Sequence, residues 1–333
     1  MPFDLAFIWA GIIAFAVLTY VILDGFDLGV GILFPFAWTT RDRDVMMNSV
    51  APVWDGNETW LVLGGGGLFA VFPLAYAVVM PALYLPITLM LLALVFRGVA
   101  FEYRWRTERK WIWDWAFTGG SAIAALCQGI ALGALVQGIE IEGRAYAGGW
   151  WDWFTPFSVL TGLAVLTGYA LLGATWLVMK TTGALQRQMR RFAMLTGIGT
   201  LGFIGMVSLL TPFQDPVYFE RWFNLPGSLY SAAVPALVAL ATWQLFTGLR
   251  NNDDARPFLA ALSIFVVSFI GIGISFYPMM VPPSLSIWEA AAPDSSLQFA
   301  LVGTVVLIPM ILGYTAYAYY VFRGKVDPEE GYH

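Results

Sequence analysis

The chain is predicted to be an all-α integral membrane protein, on three observations. Its 333 residues are 59% hydrophobic and only 12% charged, against roughly a quarter charged in soluble domains, and mean hydropathy is +0.71. Its charge-free stretches are long enough to cross a bilayer, which takes about 20 residues. Its basic residues gather in a few short loops, the pattern that sets membrane orientation.

The charge-free stretches run 5–23, 59–96, 115–139, 153–179, 192–214, 222–249, 257–288 and 295–322. The second contains Phe72-Pro73. Proline cannot continue a helix, so this stretch reads as two helices joined by a tight turn. Nine spans result. The start, Met1-Pro2-Phe3-Asp4, lacks the basic region of a cleaved signal peptide, and the first span is expected to be retained. No internal repeat is visible and no loop is long enough for a separate soluble domain, so residues 1–333 read as one polytopic membrane domain.

Nine alternating spans place the loops 38–44, 103–111, 180–191 and 249–256, together with the tail bearing Arg323 and Lys325, on one side; these hold fourteen of the 17 basic residues. That side is expected to be cytoplasmic, with the N-terminus outside and the C-terminus inside. Arg144 and Arg221 fall opposite and Arg97 lies near the end of the third span. The outer loops carry interfacial aromatics, Trp150-Trp151-Asp152-Trp153 and Trp222-Phe223. The net charge of −5 and the absence of a basic patch give no sign of a nucleic-acid partner.

Histidine is the commonest haem and metal ligand, and His333, the last residue, is the only one. It is not expected to anchor a buried metal. Cys127, the single cysteine, forms no intrachain disulfide and reads as a buried small hydrophobe. Glycines 64–67 lie inside a span and suit close helix packing rather than phosphate binding. Asn57-Glu58-Thr59 matches a glycosylation sequon but starts a helix on the cytoplasmic side, so it is set aside.

The informative residues are acids placed where lipid is expected: Asp24 with Asp27, and Asp55 with Glu58. A carboxylate at the centre of a lone lipid-facing helix costs roughly 2.5–3.5 kcal/mol, so these four face a protein interior or a wet path. Each pair is spaced to share one helix face, and Gly25, Gly29 and Gly31 offer a small-residue face beside the first. Arg97 is the natural counter-charge, against the plainer reading of an interfacial snorkeller. Asp55 also suits a helix first turn as a simple dipole partner. Glu102 and Arg104 read from spacing alone as solvated loop charges. Asp114, between Trp113 and Trp115, suggests a hydrogen-bonded buried carboxylate.

These segments resemble subunit II of the cytochrome bd family of quinol oxidases, including its cyanide-insensitive members. The resemblance is carried by Asp24-Gly25-Phe26-Asp27-Leu28-Gly29-Val30-Gly31, by Trp54-Asp55-Gly56-Asn57-Glu58 with its flanks 48–53 and 59–61, by Phe96-Arg97-Gly98-Val99-Ala100-Phe101-Glu102-Tyr103-Arg104 with Trp113-Asp114-Trp115, and by Tyr277-Pro278 with Val281-Pro282-Pro283-Ser284. It covers essentially the whole chain. It implies two four-helix bundles plus a peripheral helix, packed against a similarly folded subunit I in the bacterial cytoplasmic membrane. It further implies that the haems, b-type with or without d-type, and the quinol-oxidising loop belong to subunit I. A proton route from the cytoplasm then passes Asp55, Glu58 and Glu102, while Asp24, Asp27, Arg97 and Asp114 support the haem site. In some members a quinone sits beside the tryptophan matching Trp54, and the family leaves room for a small single-helix accessory subunit. Glu102 stands where some relatives have Asp, which keeps the proton chemistry and changes the reach. Without the resemblance, buried acids and interrupted helices would also suit a proton-coupled secondary transporter.

Overall fold

The computed structural model describes residues 4–327; His333 lies outside them. Helix α1 (Leu5–Leu33) is capped by Asp4, whose carboxylate accepts the Phe7 N–H at 3.0 Å. It ends ten residues beyond the charge-free run, so Asp24 and Asp27 sit inside the helix rather than at the edge of a span. Helix α2 (Thr40–Val50) opens with a capping box between Thr39 and Asp42.

The stretch expected to form two helices with a tight turn forms three. Helix α3 (Trp54–Val71) stops at Phe72, a ten-residue helix α4 (Pro73–Ala82) follows, and a second irregular residue, Leu83, leads into α5 (Tyr84–Tyr103). Pro73 supplies the break as read from the sequence; the break at Leu83 lies between Pro81 and Pro86, a marker the reading did not use. Helices α6 (Lys110–Gln137), α7 (Pro156–Lys180) and α8 (Gly183–Leu210) follow. Next come a short helix α9 (Pro216–Phe223), then α10 (Gly227–Arg250) and α11 (Arg256–Phe276). The run 257–288 leaves the helix at Phe276; its prolines at 278, 282 and 283 give way to a hairpin of β3 (Met279–Val281) and β4 (Leu285–Ser286). A similar hairpin, β1 (Ile141–Glu142) with β2 (Ala145–Tyr146), joins α6 to α7. A single turn, α12 (Ile287–Ala290), precedes α13 (Asp294–Val321).

Eight of these helices are long and apolar enough to cross a membrane: α1, α5, α6, α7, α8, α10, α11 and α13. Helix α3 spans 18 residues, but Asp55, Glu58 and glycines 64–67 dilute its hydropathy. The chain is thus an all-α integral membrane protein.

Two networks tie the basic segments together at one end of the bundle. Arg104, Lys110 and Arg43 meet around Asp44 and Asp114. Lys325 and Arg190 meet on Asp254. Gln188 of α8 donates to the Phe36 carbonyl at 2.6 Å, tying α8 to the segment after α1. The C-terminal segment is held there too: the Lys180 ammonium donates to the carbonyls of Phe322 and Gly324, and the Val326 N–H to the Lys180 carbonyl at 2.8 Å. At the opposite end Trp288 donates to Asp4 at 2.7 Å, and Ala292 N–H to the Val71 carbonyl at 2.9 Å.

The core is stacked around α1, α6 and α7, where backbones touch. A Cβ on Gly29 would lie 1.8 Å from the Tyr169 carbonyl oxygen, and one on Gly173 would lie 2.2 Å from Gly29. Gly31 fits against Ser121 in the same way, as the small-residue face predicted. Cys127 is buried in this core. The glycine run in α3 packs on one side only: Gly64 and Gly67 face Val17 and Ile13 of α1, whereas Gly65 and Gly66 face open space. Helix α13 leans on α1 and α3, with Leu297 its single buried residue and Phe299, Val302 and Val305 exposed.

Candidate functional site: a buried arginine among carboxylates

Arg97 is fully buried in the body of α5, so the snorkelling alternative fails and the counter-charge reading matches. Its Nη2 lies 2.8 Å from Asp24 Oδ1 and 3.8 Å from Asp27 Oδ2, and its Nη1 lies 3.7 Å from Glu58 Oε2. Asp24 and Asp27 come from one face of α1, Glu58 from the second turn of α3. Asn57 reaches the same point: its Nδ2 donates to Asp27 Oδ2 at 2.7 Å, and its Oδ1 accepts from the Tyr319 hydroxyl of α13 at 2.8 Å. The buried amide of Asn57 is thereby committed, which leaves no place for a glycan. Beside the group, Gln128 bridges two tyrosines, donating to Tyr20 at 2.8 Å and accepting from Tyr169 at 2.7 Å.

Within the chain, both Asp24 oxygens, Asp27 Oδ1 and the guanidinium nitrogens of Arg97 lack hydrogen bonds of good geometry. Buried polar groups are normally satisfied, and each exception calls for a functional or structural reason. One guanidinium also faces three carboxylates, so full ionisation would leave excess negative charge in a low-dielectric interior.

A second group lies nearer the basic end. Arg104, read as a solvated loop charge, is instead fully buried. Its Nη1 donates to Asp44 Oδ1 and its Nε to Asp114 Oδ1, each at 2.6 Å, and its guanidinium stands 5.3 Å from the Phe34 ring centre. Asp114 also accepts from Arg43 at 3.2 Å. Asp114 makes the hydrogen bonds expected between the two tryptophans, but it is only partly buried. Asp44 has no flag in the sequence beyond being one acid in an amphipathic helix.

The remaining predicted residues stand apart. Asp55 is exposed in the first turn of α3, three residues before Glu58, and makes no capping hydrogen bond. Glu102 is 52% exposed and faces Arg106 at 3.5 Å, away from the Arg97 group. The half-buried Trp54 stacks on Phe101, with ring centres 4.7 Å apart and planes 8° from parallel; a Cβ on Gly98 would approach the indole edge at 3.4 Å. No cluster of three or more His, Cys, Asp or Glu side chains is arranged for a metal among the described residues.

The family profile of cytochrome bd terminal oxidase subunit II matches residues 5–322. The chain belongs to that family. It is 31% identical to the cytochrome bd-I ubiquinol oxidase subunit 2 of Escherichia coli (strain K12), over 98% of this chain and 96% of that protein. It is 28% identical to the cytochrome bd ubiquinol oxidase subunit 2 of Bacillus subtilis (strain 168), over 97% of each. A chain of the bd oxidase structure from Geobacillus thermodenitrificans superposes with a TM-score of 0.78 over 96% of this chain and 98% of that one; at 20% identity this likeness shows the fold. The resemblance read from the acid motifs therefore holds across this family member, and the transporter reading finds no support.

Proposed function

We propose that this chain is the haem-free subunit of a quinol-oxidising, oxygen-reducing complex in the bacterial cytoplasmic membrane, and that it carries cytoplasmic protons toward haems held by subunit I. The observation that carries the proposal is the run of acids from surface to core. Asp55 is exposed, Glu58 is partly buried one helical turn on, and Asp24 and Asp27 are fully buried around Arg97. Reducing oxygen to water consumes one proton for every electron, so such a complex needs a proton inlet. Asp55 and Glu58 suit proton hand-over, and the buried Arg97–Asp24 ion pair anchors the inner end of the path.

Asp55 and Glu102 are exposed on helices whose neighbouring side faces are apolar, with Val62 and Phe69 on α3 and Leu92, Val95 and Phe96 on α5. Charges so placed are costly against lipid, which supports a covering partner subunit over these helices. An accessory single-helix subunit fits the exposed face of α13. Quinol supplies the electrons. Where a quinone is also bound structurally, the Trp54–Phe101 stack would hold its ring.

The proposed topology has nine crossings, with α3 as the ninth, the N-terminus outside and the C-terminus cytoplasmic. Its support is parity: Asp4 and Val71 lie at one end of the bundle, the α2 loop and Val326 at the other. Such a path crosses an odd number of times. Residues 1–333 then form one domain, divided into two bundles with α13 peripheral.

Purifying the chain with its partner and recording a reduced-minus-oxidised visible spectrum with quinol-driven oxygen uptake tests the reading. Haem bands, a second membrane subunit and oxygen consumption are expected. A colourless, solitary, folded protein would contradict it.

A further inference from the structure

At the end of the bundle poor in basic residues, α1, α10 and α11 line an open cleft of about 650 Å3. This lies within the roughly 300–1,000 Å3 range of small-ligand pockets. Phe15 and Leu18 of α1 and Ile270 of α11 form apolar walls, and Gly273 leaves the floor open, since a Cβ there would meet nothing within 4 Å.

The mouth of the cleft carries Arg221. It is one of two basic residues, with Arg144, in the segments at this end, so the orientation signal does not account for it. Its short helix, α9, has the form of an interfacial helix. Tyr218 is buried and donates to the Val136 carbonyl at 3.0 Å, Trp222 donates to Ser275 Oγ at 2.9 Å, and Phe219 and Phe223 project outward. The Arg221 guanidinium is positioned by donating through Nη1 to the Ser275 carbonyl and, at 3.4 Å, to that of Ile274. These carbonyls cap the C-terminus of α11, which favours a cation. They do not neutralise it, and Arg221 forms no ion pair among the described residues.

We infer that this cleft binds an anionic phospholipid, its phosphodiester on Arg221 and one acyl chain in the cleft between α1 and α11. A fixed guanidinium with no protein carboxylate, set above an apolar slot at the interface, complements a phosphate attached to a hydrocarbon chain. A quinone tail would fill the slot but gain nothing from the charge.

The test uses the delipidated complex of this chain with its partner, in detergent, and reads thermal unfolding, which does not depend on turnover. Phosphatidylglycerol is expected to raise the midpoint about 2–4 °C more than phosphatidylcholine with the same acyl chains. That excess should vanish in Arg221→Gln, which removes the charge, and in Gly273→Leu, which fills the floor and keeps the charge. If Arg221→Gln does not fold, Gly273→Leu decides. Equal responses to the two lipids, an excess that survives Gly273→Leu, or the same shift from inorganic phosphate alone would overturn the assignment. So would a quinone that co-purifies with the wild type and is lost from Gly273→Leu.

Discussion

Arg97 and Asp24 form an ion pair at 2.8 Å in which neither side chain is exposed to solvent. Removing one partner of a buried pair costs about 3–5 kcal/mol, because the other is left uncompensated. We predict that Arg97→Gln, which strands three acids, lowers assembly and haem retention of the complex severely. Asp27→Asn should act in the same direction but more weakly, since it keeps the shape that Asn57 recognises. Visible haem spectra per mole of complex check this, and normal spectra from both variants would remove the structural role of the group.

Arg104 binds two carboxylates through different nitrogens, a geometry that the single ammonium of lysine does not reproduce. Arg104→Lys should therefore destabilise the basic end by about 2–4 kcal/mol, seen as a lower thermal midpoint. Asp114→Asn should be milder because Asp44 still holds the guanidinium. A midpoint for Arg104→Lys equal to wild type would show that the network contributes nothing.

Gly29 and Gly65 give a direct contrast. A methyl group on Gly29 would collide with the α7 backbone at 1.8 Å, whereas on Gly65 it meets nothing within 4 Å of this chain. Gly29→Ala should abolish folding of the subunit and Gly65→Ala should leave its fold intact, as judged by yield and monodispersity. Equal yields would place the α1–α7 crossing elsewhere. If Gly65→Ala folds but loses its partner, the open glycine face belongs to the subunit interface.

Long apolar runs and loop charges are collective signals, and they located the membrane helices. Bounding each helix at its first charge failed where charge is buried: α1 runs past Asp24 and Asp27, and α5 past Arg97. Of the four acids assigned to Arg97, Asp24, Asp27 and Glu58 do gather on it, because uncompensated acids in a membrane need a cation, whereas Asp55 stays exposed at the helix start. Arg104 was misjudged because its partner Asp44 lies 60 residues away, and a basic loop next to a membrane looks solvated by default. Asn57 and Tyr319 were missed as site residues, since neutral side chains give no energetic warning. A buried carboxylate's need for a donor is the clue that would have found Asn57.

The tail clamp has a defined acid limit. Partial burial raises the Asp254 carboxyl, but the hydrogen bond and charge of Lys325, with the charge of Arg190, outweigh it and hold the pKa below its ordinary value. A depressed folded-state pKa gives stabilisation that is present above the unfolded value near 4 and lost as pH falls through the lower one. Protease sensitivity of the C-terminal segment should stay flat from neutral pH to about pH 5 and rise only below about pH 4. Asp254→Asn should raise it at neutral pH, by an amount limited to the ~0–1 kcal/mol of an exposed pair. A tail equally resistant in Asp254→Asn would show that the Lys180 contacts and the Lys325–Thr181 hydrogen bond hold it without the ion pair.

The central claim is that Asp55 and Glu102 carry protons, and its most direct measurement is quinol-driven oxygen uptake per haem in Asp55→Asn and Glu102→Gln. Both side chains are exposed in this chain, and both substitutions keep size while removing the titrating proton. The account predicts near-normal haem content with oxygen uptake reduced at least about tenfold, the scale of losing a positioned proton-transfer group. Wild-type uptake per haem in both variants would contradict it.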